Sequence, residues 1–587
     1  MKWNKKLAVI LFSGIIAITA TACGGSGGGA DDAHTYSVWL YNAQDSSYYT
    51  DYAENPALQY LLGKEWNGEK ISLEFLVPPL GSQQNNFETM MTSGDFPTMM
   101  MNTVADAAPK MYESEMILDI TELVETYMPN YSALLASNQE LRNKSVFHID
   151  GEDRTLALYI ANENAPYHYT GMVYRRDWIA KYGTNPVTGE AFSGGYTDPE
   201  NVDSWEDNVV FPSGGTDPVY ISDWEWMFEI FTKAQEELGI TDSYCTSIYY
   251  TGYDWSGGLT GSFGESDMVW YKGSDGTVKY GGDSDSTRAY FQCLNKWYEN
   301  GWLDPDFNER TGDMFYSIDA TSVRQGKVGM WQGLESDLGG RLDLKDGGYT
   351  EGIYVSACAW PINDVYGTES CKNVEPWCTS ASASLVGPGF FIMEGAEEKD
   401  LATLLTFLDY LYSEEGSVIR SLGLNTEQLA EVDSDFYEKY GLSQGAYTIG
   451  EDGRYALDSI LSSDSGGLTV AVNVDKLPGV ELVGSVDYGY APTYEHSMDL
   501  WLQHENQGQL WGSDALNNMS SEDSKTVSDA LTKVLNYMEL HAYEFIKGIK
   551  DIDDDKEWNT WCTMLGKMNY QKIIDILQPY VDEYPDL

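Results

Sequence analysis

Two stretches carry the side chains with the most distinctive chemistry, WLYNAQDSSYY at residues 39–49 and YYTGYDWSGG at residues 249–258. Each places Trp and Tyr rings beside Asn, Asp, Ser and Gly rather than inside an apolar run. Ring faces stack on the C–H faces of sugars, while amides and carboxylates meet sugar hydroxyls. The pattern recurs along the chain, with 18 Trp and 42 Tyr among 587 residues. Most of those rings serve packing, so the excess points to a class of ligand and not to every ring. No nucleophile elbow in a strand-to-helix turn, no Ser/His/Asp order and no H-E-x-x-H is present. The 92 acidic residues suffice for a carboxylate pair across a glycosidic bond, so a secreted glycosidase stands as a competing reading.

Charge narrows the partners. Lys and Arg number 35 against those 92 Asp and Glu, a formal net charge of −57. A field of that sign repels nucleic acid and anionic polysaccharide. Because the charge is dispersed, it reads as a solvated, self-repelling surface, and neutral or cationic ligands suit it better. Six cysteines beyond Cys23 are sparse and form no C-x-x-C, which argues against a zinc site or a disulfide scaffold. Cys358, Cys371 and Cys378 share a loop-rich region and could form one disulfide, but buried free thiols are the expectation. No cofactor and no metal is expected.

The elements that would position such residues alternate. TYSVWLY is a short β-type run, a helix follows Pro56, and ISLEFLVPP is again β-rich. NNFETMMTSG reads as a helix closed by Gly94, PTMMMNT as an apolar strand, and LDITELVETYMPNY as an amphipathic helix ended by Pro129. This rhythm implies βαβ units and a doubly wound sheet. Residues 183–215 read as a surface excursion, and the pattern from about Asp523 onward is helical. No repeat of solenoid length occurs.

The first residues read as an address. Lys2, Lys5 and Lys6 precede an apolar run from Leu7 to Ala22, short for a membrane span but suited to a signal peptide. Ala20-Thr21-Ala22 leads into Cys23 and the glycines behind it, and this segment resembles a bacterial lipobox, with Ala20 where leucine is usual. The resemblance implies cleavage before Cys23 and its acylation. Residues 1–22 are then signal peptide and 23–34 a lipid-anchored, Gly-rich linker. Plain cleavage after an A-x-A-like site is the alternative. Both place the mature chain outside the cytoplasm, the first on the outer face of the membrane.

Six further stretches carry a family resemblance, in order. TMMTSGDFPTMMM, GMVYRRDWIAKYG, ISDWEWMFEIFTKAQEELG, YENGWLDPDF with VRQGKVGMWQG, LLTFLDYLYSEEGSVIRSLG and EFIKGIKDIDDDKEWNTWCTMLGKMNYQKII run from about residue 85 to 575. Together they resemble the extracellular solute-binding lipoproteins of ABC importers, specifically the large carbohydrate-type subgroup. Ser222 or Asp223 is the expected N-cap of the third stretch. Some relatives carry an EF-hand-like calcium loop after that helix. GITDSYCTSIYY stands there instead, so no such site is expected. DIDDDKEW reads as a solvated helix start and not as a metal site.

The resemblance implies a two-lobed, hinged α/β fold of the periplasmic-binding-protein type II, each lobe a doubly wound sheet flanked by helices. It implies a first lobe of residues 35–160 plus 362–412 and a second of 161–361 plus 413–587. Ligands in such sheets sit outside the carboxyl ends of the strands. That geometry selects Trp39, Tyr41, Asn42, Asp45, Tyr167, Arg175, Asp177, Tyr253, Asp254, Trp255, Trp331 and Trp360 as ligand-binding candidates. Arg175 and Asp177 read equally as an ion pair within one lobe. The implied role is a monomeric, non-enzymatic receptor that captures an oligosaccharide and delivers it to a permease. A lipid-anchored peptide receptor shares the fold and differs only in the chemistry of its cleft.

Overall fold

The computed structural model describes residues 32–41, 48–163, 170–192, 209–247, 257–308, 322, 325–334, 355–377, 386–487 and 499–583, except 50, 80, 103–107, 267, 433–434, 452, 463–466, 505–513 and 518. Cys23, the leader and the linker through Asp31 lie outside these residues. So do Asn42, Asp45, Tyr167, Tyr253, Asp254, Trp255 and Cys378.

A six-stranded sheet organises the first lobe. Its strands are β1 (Thr35–Trp39), β2 (Ser72–Leu76), β3 (Met99–Asn102), β4 (Leu158–Asn162), β8 (Val386–Ile392) and β9 (Val480–Glu481), in the order β9-β4-β8-β3-β1-β2. A second sheet of three strands, β5 (Thr170–Arg175), β6 (Met330–Leu334) and β7 (Val355–Cys358), has the order β6-β5-β7. The fold class expected from the sequence is the one observed: α/β and two-lobed. The smaller sheet, though, is antiparallel throughout, where a parallel winding was expected. In the larger sheet β8 alone runs against its neighbours β3 and β4.

Strand periodicity sorts side chains between layers. In β1, β3 and β8, Tyr36, Val38, Met99, Met101, Phe390 and Ile392 enter one core, while Trp39, Met100 and Phe391 enter another on the opposite face. In the second lobe Met172, Tyr174, Met330 and Cys358 face a large helical core, and Val173, Trp331, Val355 and Ala357 a small one. The expected helices form as α1 (Pro56–Leu62) and α2 (Gln83–Ser93). The latter is closed by Gly94 at φ 73°, a left-handed conformation that glycine adopts without strain. Pro129 does not merely end a helix. It opens a new one, Pro129–Ser137, at a position where its missing N–H costs nothing.

Helices α3 (Arg176–Tyr182), α4 (Ile221–Leu238) and α5 (Asp285–Glu299) flank the second sheet. The cap of α4 is Tyr220, not Ser222 or Asp223. Asp223, in the first turn, accepts from the amides of Val219 (2.8 Å), Tyr220 (3.0 Å) and Ser213 (2.9 Å), and the Ser222 hydroxyl donates to Asp364. α6 (Leu401–Tyr410) and α7 (Glu414–Leu422) cover the first sheet. The chain closes with α8 (Ser521–Ile546), α9 (Asp555–Lys567) and α10 (Gln571–Glu583) on the second lobe. In α8, Val527, Val534, Met538, Ala542 and Phe545 form a stripe at helical spacing that is buried in that core.

The acidic turn before α9 is a helix start, as expected, and it is pinned from a distance. Asp554 accepts from the Lys556 amide. Arg288 of α5 donates to the carbonyls of Ile552 (3.0 Å) and Asp553 (3.1 Å) and to the Asp555 carboxylate (2.8 Å). Among the described cysteines Cys245, Cys293, Cys358, Cys371 and Cys562 are free thiols, and all but Cys562 are buried.

The lobe boundaries differ from those implied by the resemblance. Core membership passes from first to second lobe between Ala161 and Met172 and back between Cys371 and Phe390. The third passage does not fall near Tyr412. Val418, Ile419, Leu422, Tyr437, Val472 and Val486 all pack in the first-lobe core with Tyr412, and Trp501, in the small core, is the next residue buried in the second lobe. The physical cause is Arg420, whose buried guanidinium ties α7 to the loop leading into β9.

Several carboxyls make stability depend on acid. Burial would raise Asp119, yet the Thr121 hydroxyl and amide and the Arg154 guanidinium outweigh it and hold its pKa below the usual range. Thr277 and Lys279 hold Asp275 at about 2. Burial of Asp400 is likewise outweighed by Thr403 and His34. Groups depressed on folding contribute stability that is present above their unfolded pKa, about 4, and lost as pH falls through the folded one. Burial raises Asp409 instead, so its contribution has the opposite sign. Thermal midpoints are expected to fall steeply from about pH 4 toward 2. Asp119→Asn should flatten part of that slope, and a midpoint constant across this window would contradict the account.

Candidate functional site

The first sheet presents its carboxyl edge to the second lobe. β1, β2 and β3 are parallel, β4 runs with them by way of the reversed β8, and β9 is parallel to β4. The ends of β1 and β4, the start of β8 and the end of β9 therefore share one edge. The last three are the points from which the chain crosses to the second lobe or returns. The carboxyl edge of an open α/β sheet is where such a sheet accepts a ligand.

Trp39 and Tyr41 stand there, as expected. Trp39 is only 2% exposed, and its ring fills the face shared with Phe87, Met90, Met100 and Phe391. Its Nε1 donates to Oδ1 of Asn86 at 2.8 Å, on an exposed position of α2. Tyr41 is half-buried and meets Trp39 edge to face at 6.5 Å between ring centroids. Trp39 thus props a rim on which Tyr41 and Asn86 offer a ring and an amide. Tyr159 of β4 packs on the same face, against the backbone at Gly389. Burial pushes its hydroxyl up to about 12, keeping it neutral at physiological pH. Asn86 and Tyr159 escaped the sequence reading. The alternation in LYIAN, which puts Tyr159 on the Trp39 face, was the available signal.

The other described candidates belong to the second lobe and do not form one platform. Arg175 and Asp177 are buried and paired, Nε to Oδ1 at 2.8 Å and Nη2 to Oδ2 at 2.5 Å, with the guanidinium 4.3 Å above the Trp178 ring. They lie at the end of β5 away from the crossing, so the ion-pair reading describes their geometry. Trp331 is 3% exposed in the small core under Trp501, and Trp360 is packed on Trp224 with ring centroids 6.3 Å apart. Those two rings occupy opposite faces of the same sheet.

Removing one partner of the Arg175–Asp177 pair takes the bidentate counter-charge from the buried group that remains. Arg175→Met is expected to cost about 3–5 kcal/mol in chemical unfolding. The double variant with Asp177→Asn should recover much of it. If the single variant loses ligand affinity with no loss of stability, the pair faces ligand after all.

Among the described residues no group of three or more His, Cys, Asp or Glu side chains could hold a metal ion. What the described residues gather at the carboxyl edge of the first sheet is a ring and an amide, Tyr41 and Asn86, supported by Trp39.

No protein-family model and no curated protein matches the chain. Solved structures do. An HMO-binding, ABC-transporter-associated solute-binding protein from Bifidobacterium longum infantis matches with a TM-score of 0.65 at 16% identity, covering 94% of this chain and 99% of that one. The Streptococcus pneumoniae ABC-transporter substrate-binding protein FusA, in complex with kestose, matches with a TM-score of 0.63 at 14% identity and the same coverage. The fold is that of a solute-binding protein. A further extracellular solute-binding protein from Bifidobacterium longum subsp. infantis shares it, with a TM-score of 0.64 at 15% identity over 94% of this chain and 98% of its own.

Proposed function

We propose that this chain is the extracellular receptor of an ABC importer, capturing a carbohydrate, most simply an oligosaccharide, between its lobes and handing it to a membrane permease. One observation carries the reading: the aromatic and amide rim of Trp39, Tyr41 and Asn86 stands on the sheet edge from which the chain crosses between lobes. Sugar ligands named for proteins of the same fold support it. Tyr41 is the described ring we assign to ligand contact, with Trp39 as its support. Asn42 and Asp45, which follow Tyr41 in the sequence, together with Tyr167, Tyr253, Asp254 and Trp255 complete the proposed set. Binding requires no bond to break, so the protein acts as a carrier and not as an enzyme. No helix of the described residues is long and apolar enough to cross a membrane, and we assign membrane attachment to acylated Cys23.

A thermal-shift screen against monosaccharides, oligosaccharides and peptides tests the ligand class. A ligand at a hundred times its Kd adds about 2.7 kcal/mol of stability, and Tyr41→Ala should weaken the effective sugar at least about tenfold. Shifts with peptides alone would favour the peptide receptor, and cleavage of an added glycan would establish an enzyme. Mass spectrometry of the native amino terminus tests the anchor. An unmodified start downstream of Cys23 would exclude it.

A further inference from the structure

Two residues far apart in sequence tie the first and third crossings together, one on each lobe. On the first lobe, Glu163 follows β4 directly. Its Oε2 accepts from the Val483 amide (3.1 Å), the Ser485 amide (2.9 Å) and the Ser485 hydroxyl (3.0 Å), and its own amide donates to the Glu481 carbonyl at 2.7 Å. Residues 483–485 are the last few before the chain leaves that lobe at Val486.

On the second lobe, Trp501 is 4% exposed and lies flat against the backbone of β5. A Cβ at Gly171 would come within 2.3 Å of three atoms of its indole, so the ring occupies the place of a side chain. Gly333 stands opposite Gly171 in the sheet, which extends the side-chain-free seat across two strands. The indole Nε1 donates to the Met172 carbonyl at 3.1 Å. Three residues on, His504 Nδ1 lies 2.6 Å from Glu375 Oε1, linking the third passage to the segment leading into the second.

We propose that Trp501 and Glu163 are positioning residues that join two crossings into one pivot and set the angle between the lobes. Each fastens the third passage to the first at its point of departure or arrival. A turn of one lobe must then carry both passages together, and cleft width follows from how these seats hold. Neither residue touches the rim at Tyr41, so their effect on ligand is indirect. The proposal is independent of which ligand the cleft accepts.

Spin labels on Glu125→Cys in the first lobe and Lys525→Cys in the second, both exposed positions, report the interlobe distance by pulsed EPR in the full chain without ligand. Trp501→Ala is expected to broaden the distance distribution at least about twofold. Glu163→Ala should broaden it as well, and Trp501→Phe, which keeps the ring but not the Nε1 donor, by less. A folded Trp501→Ala protein that melts earlier but keeps the parental distribution would overturn the proposal, since a purely packing role predicts that result. If Trp501→Ala does not fold, Trp501→Phe and Glu163→Ala decide it: broadening in both sustains the pivot, and unchanged distributions overturn it.

Discussion

Gly416→Ala is expected to cost more than about 4 kcal/mol, enough to unfold the first lobe of most preparations at physiological temperature. Gly416 lies in the first turn of α7, where its amide donates to the Ser413 hydroxyl. A methyl group there would stand 1.8 Å from the Tyr410 carbonyl oxygen, 2.6 Å from its carbon and 3.0 Å from Leu411 Cα. All three are backbone atoms, so no rotamer relieves the overlap. α6 and α7 would have to separate, and with them the packing of Leu408, Leu411 and Ile419 in the main core. Gly566→Ala is the internal control. That glycine is exposed within α9, and a methyl group added there would meet nothing within 4 Å, so alanine should stabilise by about 0.5–1 kcal/mol. Urea unfolding of both variants, followed by far-ultraviolet circular dichroism, reads the contrast. Equal and small effects would refute the packing account of the SEEG turn.

Arg420→Met should be nearly as damaging, at about 3–5 kcal/mol. The Arg420 side chain is fully buried. Its Nε and Nη2 donate to the carbonyls of Leu477 (3.0 Å) and Asp475 (3.1 Å), and its carbonyl accepts from the Val474 amide at 2.8 Å. Gly479 leaves room for the stem, since a Cβ there would lie 2.6 Å from Arg420 Cδ. Methionine fills the volume but takes the Nε and Nη2 donors from a buried carbonyl, that of Leu477, and a part-buried one, that of Asp475. Lysine should not rescue, because a single ammonium cannot reproduce the planar fork. Hydrogen exchange separates this effect from general loosening. The amides of Ala161 and Val480, bonded to the Gly479 and Leu411 carbonyls, should lose protection first, while those of β5 stay protected. Uniform loss across both sheets would speak against a local clamp.

These two residues also mark how far the sequence could be read. Strands TYSVWLY and PTMMMNT, the Gly94 stop and the three closing helices follow from local pattern, because periodicity and caps are properties of neighbouring residues. Lobe membership is not local. α6 and α7 are both amphipathic, and nothing within them names the core they face. That choice rests on Arg420 reaching residues 475–477 and on the Tyr412 hydroxyl donating to the Tyr159 carbonyl. The site divides in the same way. Position at a strand end placed Trp39 and Tyr41 at the carboxyl edge of the first sheet, where the structure has them, but the face and depth of Trp331 and Trp360 depend on Trp501 and Trp224, which pack on them from distant segments.

The reversed strand β8 has a further consequence, for the order in which the molecule can be made. Phe391 pairs opposite Met100 on one side, and Phe390 opposite Leu158 on the other. The sheet is therefore split down its middle until the ribosome has passed the whole first half of the second lobe. β1, β2 and β3 wait with an unpaired inner edge, a template for mispairing, while a foreign domain is synthesised between them and their partner. Closure of so long a loop is slow. Folding of this chain is thus a race between threading a late strand into an early sheet and capture of that open edge by another unfolded chain, and a chaperone that shields extended segments should raise the yield.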